Sequence, residues 1–96
     1  MPGRRRCRRW VGMLPSTTYF MPDIPYNKVV ILHVEEFEAF RLVYYLGLSQ
    51  HEAASRMGIS QKALCNDLKN ARFKIADAII NGKAIKIEGG NYAMRV

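Results

Sequence analysis

Residues 61–72 combine side chains that can read DNA bases with a spacing that places them on one side of a helix. At 100° per residue, an apolar stripe forms from Leu64, Leu68, Ala71 and Ile75. The opposite side carries Lys62, Cys65, Asn66 and Lys69. A lysine can donate to guanine, and an asparagine amide can pair with adenine in the major groove. We therefore predict base contacts by Lys62, Cys65 and Asn66, with Gln61 as a weaker candidate at the edge of the inward face.

Cations and small polar side chains around this helix are candidates for phosphate contacts. Five arginines within residues 4–9 account for +5 of the formal net charge of +7, and no acid lies among them. Such an arm favours binding to a polyanion, because neutralising phosphates releases counterions. The alternative is a solvated tail that only aids solubility. The predicted phosphate contacts are Arg4, Arg5, Arg6, Arg8, Arg9, Ser49, Gln50, His51, Ser60, Lys69 and Arg72.

Two helices joined by a short turn are needed to position these residues. Ser49 and Ser60 each precede a helical stretch, where a hydroxyl can accept a hydrogen bond from an unsatisfied backbone N–H. Gly58 permits the sharp turn between the helices. The second helix is predicted over 50–57. The third begins after Ser60 and continues to Gly82, which gives about 21 residues or roughly 30 Å.

A first helix is predicted from Glu35 to Tyr45, with Gly47 ending it. Its apolar face combines Phe37, Phe40, Val43 and Tyr44. Three glutamates in its first turn suit the positive end of the helix dipole. These three residues, Glu35, Glu36 and Glu38, are expected to be solvated rather than catalytic.

Short strands are predicted near both ends of the chain. Residues 9–14 form one candidate, and residues 83–88 form another, in which Ile85 and Ile87 alternate with other side chains. A single strand is not stable alone, so the two are expected to pair, within one chain or between neighbours. Residues 15–28 contain three prolines and are predicted to be an extended loop. Residues 29–33 are either a short strand or the lead-in to the first helix.

The predicted fold is mainly α. It is a three-helix domain containing a helix-turn-helix over about 49–72, with a long third helix and a small β element from the N- and C-terminal segments. Residues 1–8 are predicted to form a flexible basic arm, and residues 9–96 a single domain. Ninety-six residues support one small core.

Composition and motifs argue against several classes of protein. The chain is 49% hydrophobic, yet no apolar run approaches the roughly 20 residues that span a bilayer. The arginine-rich start lacks the apolar stretch of a signal peptide, so a cytoplasmic protein is expected. No nucleophile–base pair, Gly-rich phosphate loop or carboxylate pair points to an enzyme, a cofactor or a small-molecule substrate.

The two cysteines, Cys7 and Cys65, lie far apart in the sequence and are expected to be reduced thiols. A metal site would need His33 or His51 to join them. No CxxC or HxxxH spacing supports such a site. A metal- or redox-sensing protein that uses both cysteines is retained as an alternative class.

The outer side of the third helix becomes apolar in its later turns. A helix that is apolar on two sides needs two partners, of which one is the core. If the second partner is another subunit, the protein is a homodimer. The residues predicted at the contact are then Phe73, Ala76, Ile80, Ile85 and Ile87. The competing account is an intrachain hairpin that folds over Phe73 and leaves a monomer.

Several segments also resemble a known family, namely MPGRRRCRRW, TTYFMP, EEFEAFRL, LGLSQHEAASRMGIS and NARFKIADAIINGKAIKIEGGNY. Together they are similar to the small prokaryotic proteins of uncharacterised protein family 0251, also called domain of unknown function 134. The resemblance covers nearly the whole chain and is most specific at Cys7-Arg8-Arg9 and at NGKAIKIEGGNY. It implies a DNA-binding helix-turn-helix similar to region 4 of sigma factors. Members often carry Arg or Thr where this chain has Gln61, Lys62 and Ala63, so the resemblance implies no particular target sequence.

The residues and the resemblance together predict sequence-specific binding of double-stranded DNA, and a transcriptional regulator that is a homodimer. The leading alternative is a protein-interaction module that docks on a transcription or other protein partner. Salt-dependent binding to a duplex would separate these two functions.

Overall fold

The structure is a computed structural model that describes residues 8–94. Within those residues, three helices are combined with two small β-sheets, which confirms a mainly helical fold with small strands. The elements are β1 (Arg9–Val11), β2 (Tyr19–Phe20), β3 (Val29–Leu32), α1 (Val34–Phe40), a π-helical segment (Arg41–Tyr45), α2 (Gln50–Met57), α3 (Gln61–Asn81), β4 (Ala84–Ile87) and β5 (Tyr92–Met94).

Local capping fixes the ends of α2 and α3 where the sequence predicts them. The Ser49 hydroxyl accepts from the Glu52 backbone N–H, and the Ser60 hydroxyl accepts from that of Ala63, both at 3.1 Å. At the other end of α2, Gly58 has φ 69°, a left-handed conformation that glycine adopts without steric cost. The predicted bounds of both helices are confirmed.

The first helix starts one residue earlier than predicted, and its final turn is not α-helical. Over Arg41–Tyr45 the backbone widens into a π-helical turn, in which the Leu46 N–H donates to the Arg41 carbonyl at 2.9 Å. Gly47 follows with φ 74° and lets the chain turn toward α2. The extra residue per turn rotates the side chains that follow it, so Tyr44 of the predicted apolar face is exposed.

The three glutamates of α1 are buried, so the prediction that they are solvated is wrong. Relative exposure is 0% for Glu35, 3% for Glu36 and 2% for Glu38. Glu35 lies against Gly90, Glu36 against Lys74 of α3, and Glu38 against the backbone of Gly12. These neighbours are distant in the sequence, so no local pattern could indicate the burial. A Cβ at Gly90 would overlap the Glu35 carboxylate, so a glycine is needed where the chain crosses it.

Cations inside the fold compensate two of these buried carboxylates. Lys74 donates to Glu36 at 2.8 Å. Arg41 donates twice to Glu38, each at 2.8 Å, and the backbone N–H of Gly12 donates to the same carboxylate at 3.0 Å. The hydrogen bonds to Glu38 raise the pKa of Arg41. These contacts join α1 to α3 and to the segment after β1.

The strand pairing differs from the prediction. β4 is the central strand of a three-stranded sheet, antiparallel to β2 and parallel to β3. β1 instead pairs in parallel with β5, with Trp10 opposite Ala93. The reason is that Gly82, with φ 66°, turns the chain so that β4 runs beside β3, and only β5 reaches β1. The terminal segments do form a small β element, through β1 and β5.

The core consists of two clusters that share α3. Between the end of the first helix, α2 and the first half of α3 lie Ala39, Leu42, Ala53, Ala54, Met57, Leu64 and Leu68. Between α1, the sheets and the middle of α3 lie Val11, Leu32, Val34, Ala71 and Ile87. The inward stripe predicted for α3 is confirmed at Leu64, Leu68 and Ala71, whereas Ile75 is only partly buried. α3 is therefore the element that both clusters depend on.

Leu68→Ala tests this packing. The substitution removes buried methyl groups and leaves a cavity, so the free energy of unfolding should fall by about 2–5 kcal/mol. Urea titration followed by circular dichroism measures it. Ile79→Ala is the control, because Ile79 lies on the same helix and is exposed, and it should change stability by less than about 0.5 kcal/mol. Equal effects of the two substitutions would mean that the phase of α3 is wrong.

Candidate nucleic-acid interface

The first half of α3 presents a polar outer surface. Leu64 and Leu68 point into the core, and the residues between them on the other side of the helix are exposed. All four predicted base contacts lie on this exposed surface, namely Gln61, Lys62, Cys65 and Asn66. Their side chains place an ammonium, two amides and a thiol on the exposed surface of α3, and the ammonium and the amides are groups that can hydrogen-bond base edges.

The turn between α2 and α3 is covered by the first strand. A Cβ at Gly58 would lie 2.9 Å from Trp10 Cδ1 and 3.3 Å from its Nε1. Gly58 is thus required twice, for its positive φ and for the close approach of the indole. The indole holds the turn, and the turn sets the angle at which α3 leaves α2.

A buried ion pair joins β1 to the flank of α3. Arg9 Nε donates to Asp67 Oδ2 at 3.0 Å, and Arg9 Nη2 donates to Oδ1 at 3.3 Å. The two side chains are only 7% and 2% exposed. Arg9 was predicted to contact phosphate, and this position corrects that prediction, because its guanidinium is held inside the protein.

The same ion pair determines the charge of the α3 surface. Asp67 is the only acid among residues 61–76, and it is turned inward against Arg9. The exposed cations Lys62, Lys69 and Arg72 therefore share this stretch of helix with no exposed carboxylate. A surface of this kind attracts polyanions, and burial of a single acid produces it.

The remaining predicted phosphate contacts within the described residues are all exposed. They are Arg8, Ser49, Gln50, His51, Ser60, Lys69 and Arg72. The hydroxyls of Ser49 and Ser60 already accept capping hydrogen bonds, which leaves each hydroxyl its own proton to donate. Arg4, Arg5 and Arg6 lie outside the described residues, as does Cys7, so their predicted roles stay predictions.

Two contacts tie α3 to its neighbours on the side that faces α2. The Cys65 thiol donates to Gln50 Oε1 at 3.0 Å, so a predicted base contact and a predicted phosphate contact touch each other. About two helical turns farther on, Arg72 Nη1 donates to the Tyr44 hydroxyl at 2.6 Å. Tyr44 was predicted to be part of an apolar face, and its approach to Arg72 follows from the π-helical segment, which the sequence pattern does not reveal.

The second half of α3 is apolar on its outer side, as predicted. Phe73 is 69% exposed and Ile80 is 77% exposed, and Ala76 between them is exposed too. The prediction that Ile87 lies at a subunit contact is wrong, because Ile87 is buried in the core beside Val11. Ile85 is partly buried and packs against the same cluster. The burial of β4 does not follow the predicted alternation, because Ala84 and Ile87 are buried, Ile85 is partly buried and Lys86 is exposed.

The end of α3 is tied to the turn before β4 by a polar contact. Lys83 Nζ and Asn81 Nδ2 each donate to the Asp77 carboxylate at 2.8 Å. These hydrogen bonds, that from Lys83 above all, lower the pKa of Asp77. The apolar outer surface of α3 is therefore bordered by a compensated acid rather than by a free charge.

Neither a metal cluster nor a membrane helix is present in the part of the chain that the structure describes. Across residues 8–94, no three His, Cys, Asp or Glu side chains gather where they could hold a metal ion. In that same range, no helix is both long and apolar enough to cross a membrane.

His33, which the sequence offered as a possible partner of the cysteines in a metal site, lies against the backbone of the segment before β5, with Nδ1 3.3 Å from the Glu88 carbonyl oxygen.

Nearly the whole chain matches one family model. The model described as "Protein of unknown function DUF134" covers residues 1–95. The chain belongs to this family. The family resemblance predicted from the sequence segments is thereby confirmed.

Several curated DUF134 relatives are similar over most of the chain. A UPF0251 protein of Methanosarcina acetivorans is 54% identical over 93 residues, which cover 94% of this chain and 83% of that protein. One of Methanocella arvoryzae is 50% identical over 91 residues, covering 92% and 55%. One of Ruminiclostridium cellulolyticum is 46% identical over 92 residues, covering 96% and 72%. The chain thus spans between about half and four fifths of these relatives' own lengths. No solved structure matches it.

The ion pair of Arg9 and Asp67 should be necessary for stability. Asp67→Asn keeps the shape but leaves the buried guanidinium without this carboxylate, so the free energy of unfolding should fall by about 3–5 kcal/mol. Thermal and urea unfolding measure the loss. Glu52→Gln is the matched control, because the Glu52–Arg56 pair is exposed and is worth at most about 1 kcal/mol. If Asp67→Asn is as stable as Glu52→Gln, the pair does not hold β1 against α3.

Proposed function

We propose that this protein binds double-stranded DNA in a sequence-specific manner, with α2 and α3 acting as a helix-turn-helix, and that it regulates transcription. The observation that carries the proposal is the two-sided character of α3. Its inner side is closed by Leu64 and Leu68, and its outer side offers Lys62 and Asn66 to a partner. The function is one of recognition, and no catalytic step is part of it.

Two features of the described residues support DNA as the partner. The first half of α3 has exposed cations and no exposed acid, because Asp67 is paired with Arg9. The start of α2, with Gln50 and His51 exposed, lies beside that surface, since Gln50 contacts Cys65. A helix in the major groove flanked by backbone contacts from the preceding helix is the usual geometry of a helix-turn-helix on DNA. We include in this proposal that the helix-turn-helix is similar to region 4 of sigma factors.

The second candidate function is docking on a protein of the transcription machinery. It is favoured by the exposed apolar residues on the later turns of α3, among them Phe73 and Ile80. Exposed patches of this kind on small proteins often mark interaction sites. Binding that needs these residues, persists at high salt and requires no duplex would favour this function over DNA binding.

We further propose that the protein is a homodimer with Phe73, Ala76 and Ile80 at its twofold contact. Ala76 leaves room for a second helix to approach, and the larger side chains on either side of it would be covered. A dimer would present two copies of α3 to half-sites spaced by about one helical turn, roughly 34 Å. Ile87 is not part of this contact, because it is in the core.

Asn66 is proposed to contact a base and Lys69 a phosphate, so their substitution should affect DNA binding in different ways. Duplexes selected from a random pool at two salt concentrations define the preferred site. Asn66→Ala should lose about 1–3 kcal/mol of discrimination at one base position. Lys69→Ala should weaken binding to all sequences alike and flatten the log–log salt slope by about 0.9. Lys86→Ala, on β4 in the three-stranded sheet, is the charge control and should do neither. Recovery of no preferred sequence would rule out sequence-specific binding.

Sedimentation tests the proposed dimer. The wild type should sediment as a dimer at tens of micromolar, because the apolar surface around Ala76 needs a cover. Phe73→Glu with Ile80→Glu should give a folded monomer. Met13→Glu is the control, since Met13 is exposed but lies on the loop after β1, and this variant should stay dimeric. A monomeric wild type would contradict the proposal.

A further inference from the structure

Tyr44 and Arg72 meet at the surface, on the flank of α3 that faces the end of the first helix. Arg72 Nη1 donates to the Tyr44 hydroxyl at 2.6 Å, and both side chains are exposed. The Tyr44 ring lies against the partly buried Phe40, with ring centroids 5.2 Å apart and an interplanar angle of 54°. The phenol is thus anchored by its ring while its hydroxyl stays at the surface, 49% of the residue being accessible.

The π-helical segment places the hydroxyl there. A π-helical turn adds a residue to the turn of an α-helix and redirects the residues that follow. Phe40 and Tyr44 are spaced as neighbours on one helical face, yet Tyr44 is carried out of the core and toward α3. Single π-helical turns inside helices occur frequently at functional sites, and here the turn brings a tyrosine hydroxyl to an arginine that the sequence already marks for phosphate.

The hydrogen-bond chemistry of the pair favours an anion. The hydroxyl oxygen accepts from Arg72, so its own proton is available to donate to a third group. The guanidinium has five N–H donors, of which the contact with Tyr44 uses one. The two side chains therefore offer several donors at one place and no negative charge, which suits the paired non-bridging oxygens of a phosphodiester.

The position on α3 favours a phosphate of DNA over other anions. Arg72 follows Lys69 by three residues and Asn66 by six, so it continues the exposed polar flank of the same helix. A helix that enters the major groove brings its flanks against the phosphates on either side.

We propose that Tyr44 and Arg72 form a clamp for one backbone phosphate of duplex DNA. Tyr44 holds the guanidinium in place and donates its own hydroxyl proton to the phosphate. The clamp rests on the proposed DNA binding and adds Tyr44 to the residues that contact the duplex.

A double-mutant cycle tests the clamp. The full chain is titrated with its selected duplex over a salt series, as wild type, Tyr44→Phe, Arg72→Ala and the double variant. Tyr44→Phe should bind about tenfold more weakly, because it removes one donor to a charged acceptor and frees Arg72. Arg72→Ala should also flatten the log–log salt slope by about 0.9. The double variant should lose less binding free energy than the two single losses added together, because each side chain positions the other on one phosphate.

The controls separate contact from folding. Tyr45→Phe changes the adjacent, 83% exposed tyrosine and should bind like the wild type. Tyr44→Phe should unfold at the wild-type temperature, because its ring still contacts Phe40. The loss should be the same for every duplex sequence, since phosphate contacts carry no base information.

The outcomes distinguish the clamp from the proposed function. If Tyr44→Phe binds like the wild type, if the two effects add in the double variant, or if the loss is confined to one base position, the clamp is wrong and DNA binding stands. If the wild type shows no salt-dependent binding to any duplex, the proposed function and the clamp fail together.

Discussion

The buried ion pair between Arg9 and Asp67 is the contact on which much of the structure depends. It joins residues 58 positions apart and fixes β1 against the flank of α3. With β1 in place, Trp10 reaches the turn at Gly58 and the backbone of Gly12 reaches Glu38. Since any other position of β1 would leave a buried charge uncompensated, at a cost of about 3–5 kcal/mol, the pair favours a single position of β1 on α3.

Buried charges also hold the first helix in place. Two of its buried glutamates, Glu36 and Glu38, accept hydrogen bonds from a lysine of α3, from an arginine one turn later and from backbone N–H groups. Replacing such pairs by apolar side chains often costs no stability, so we attribute to them the orientation of α1 on α3 more than the strength of the fold. In α3 the burial of Asp67 has a consequence at the surface, because the exposed side of the first half of that helix is left with cations and amides. That division of charge is the physical basis of the proposed DNA contact.

The outer surface of α3 could be predicted because it follows from helical periodicity alone. Lys62, Cys65 and Asn66 lie opposite Leu64 and Leu68 on any regular helix, and they are exposed as expected. Arg9 and Ile87 could not be assigned in this way, because whether each faces solvent or core depends on strands from other parts of the chain. Tyr44 was misplaced for a different reason, since the π-helical segment breaks the period from which its position was inferred.

Local sequence was enough to assign the family, the ends of α2 and α3, and the two faces of α3. The helix ends depend on Ser49, Ser60 and the glycines after each helix, whose capping contacts involve residues only a few positions away. The pairing of the strands and the burial of charges depend instead on contacts between distant segments. Glu35 and its neighbours have the composition of a solvated first turn, and they are buried because segments from both ends of the described chain cover them. Burial is a property of what lies opposite in space, and local sequence does not record it.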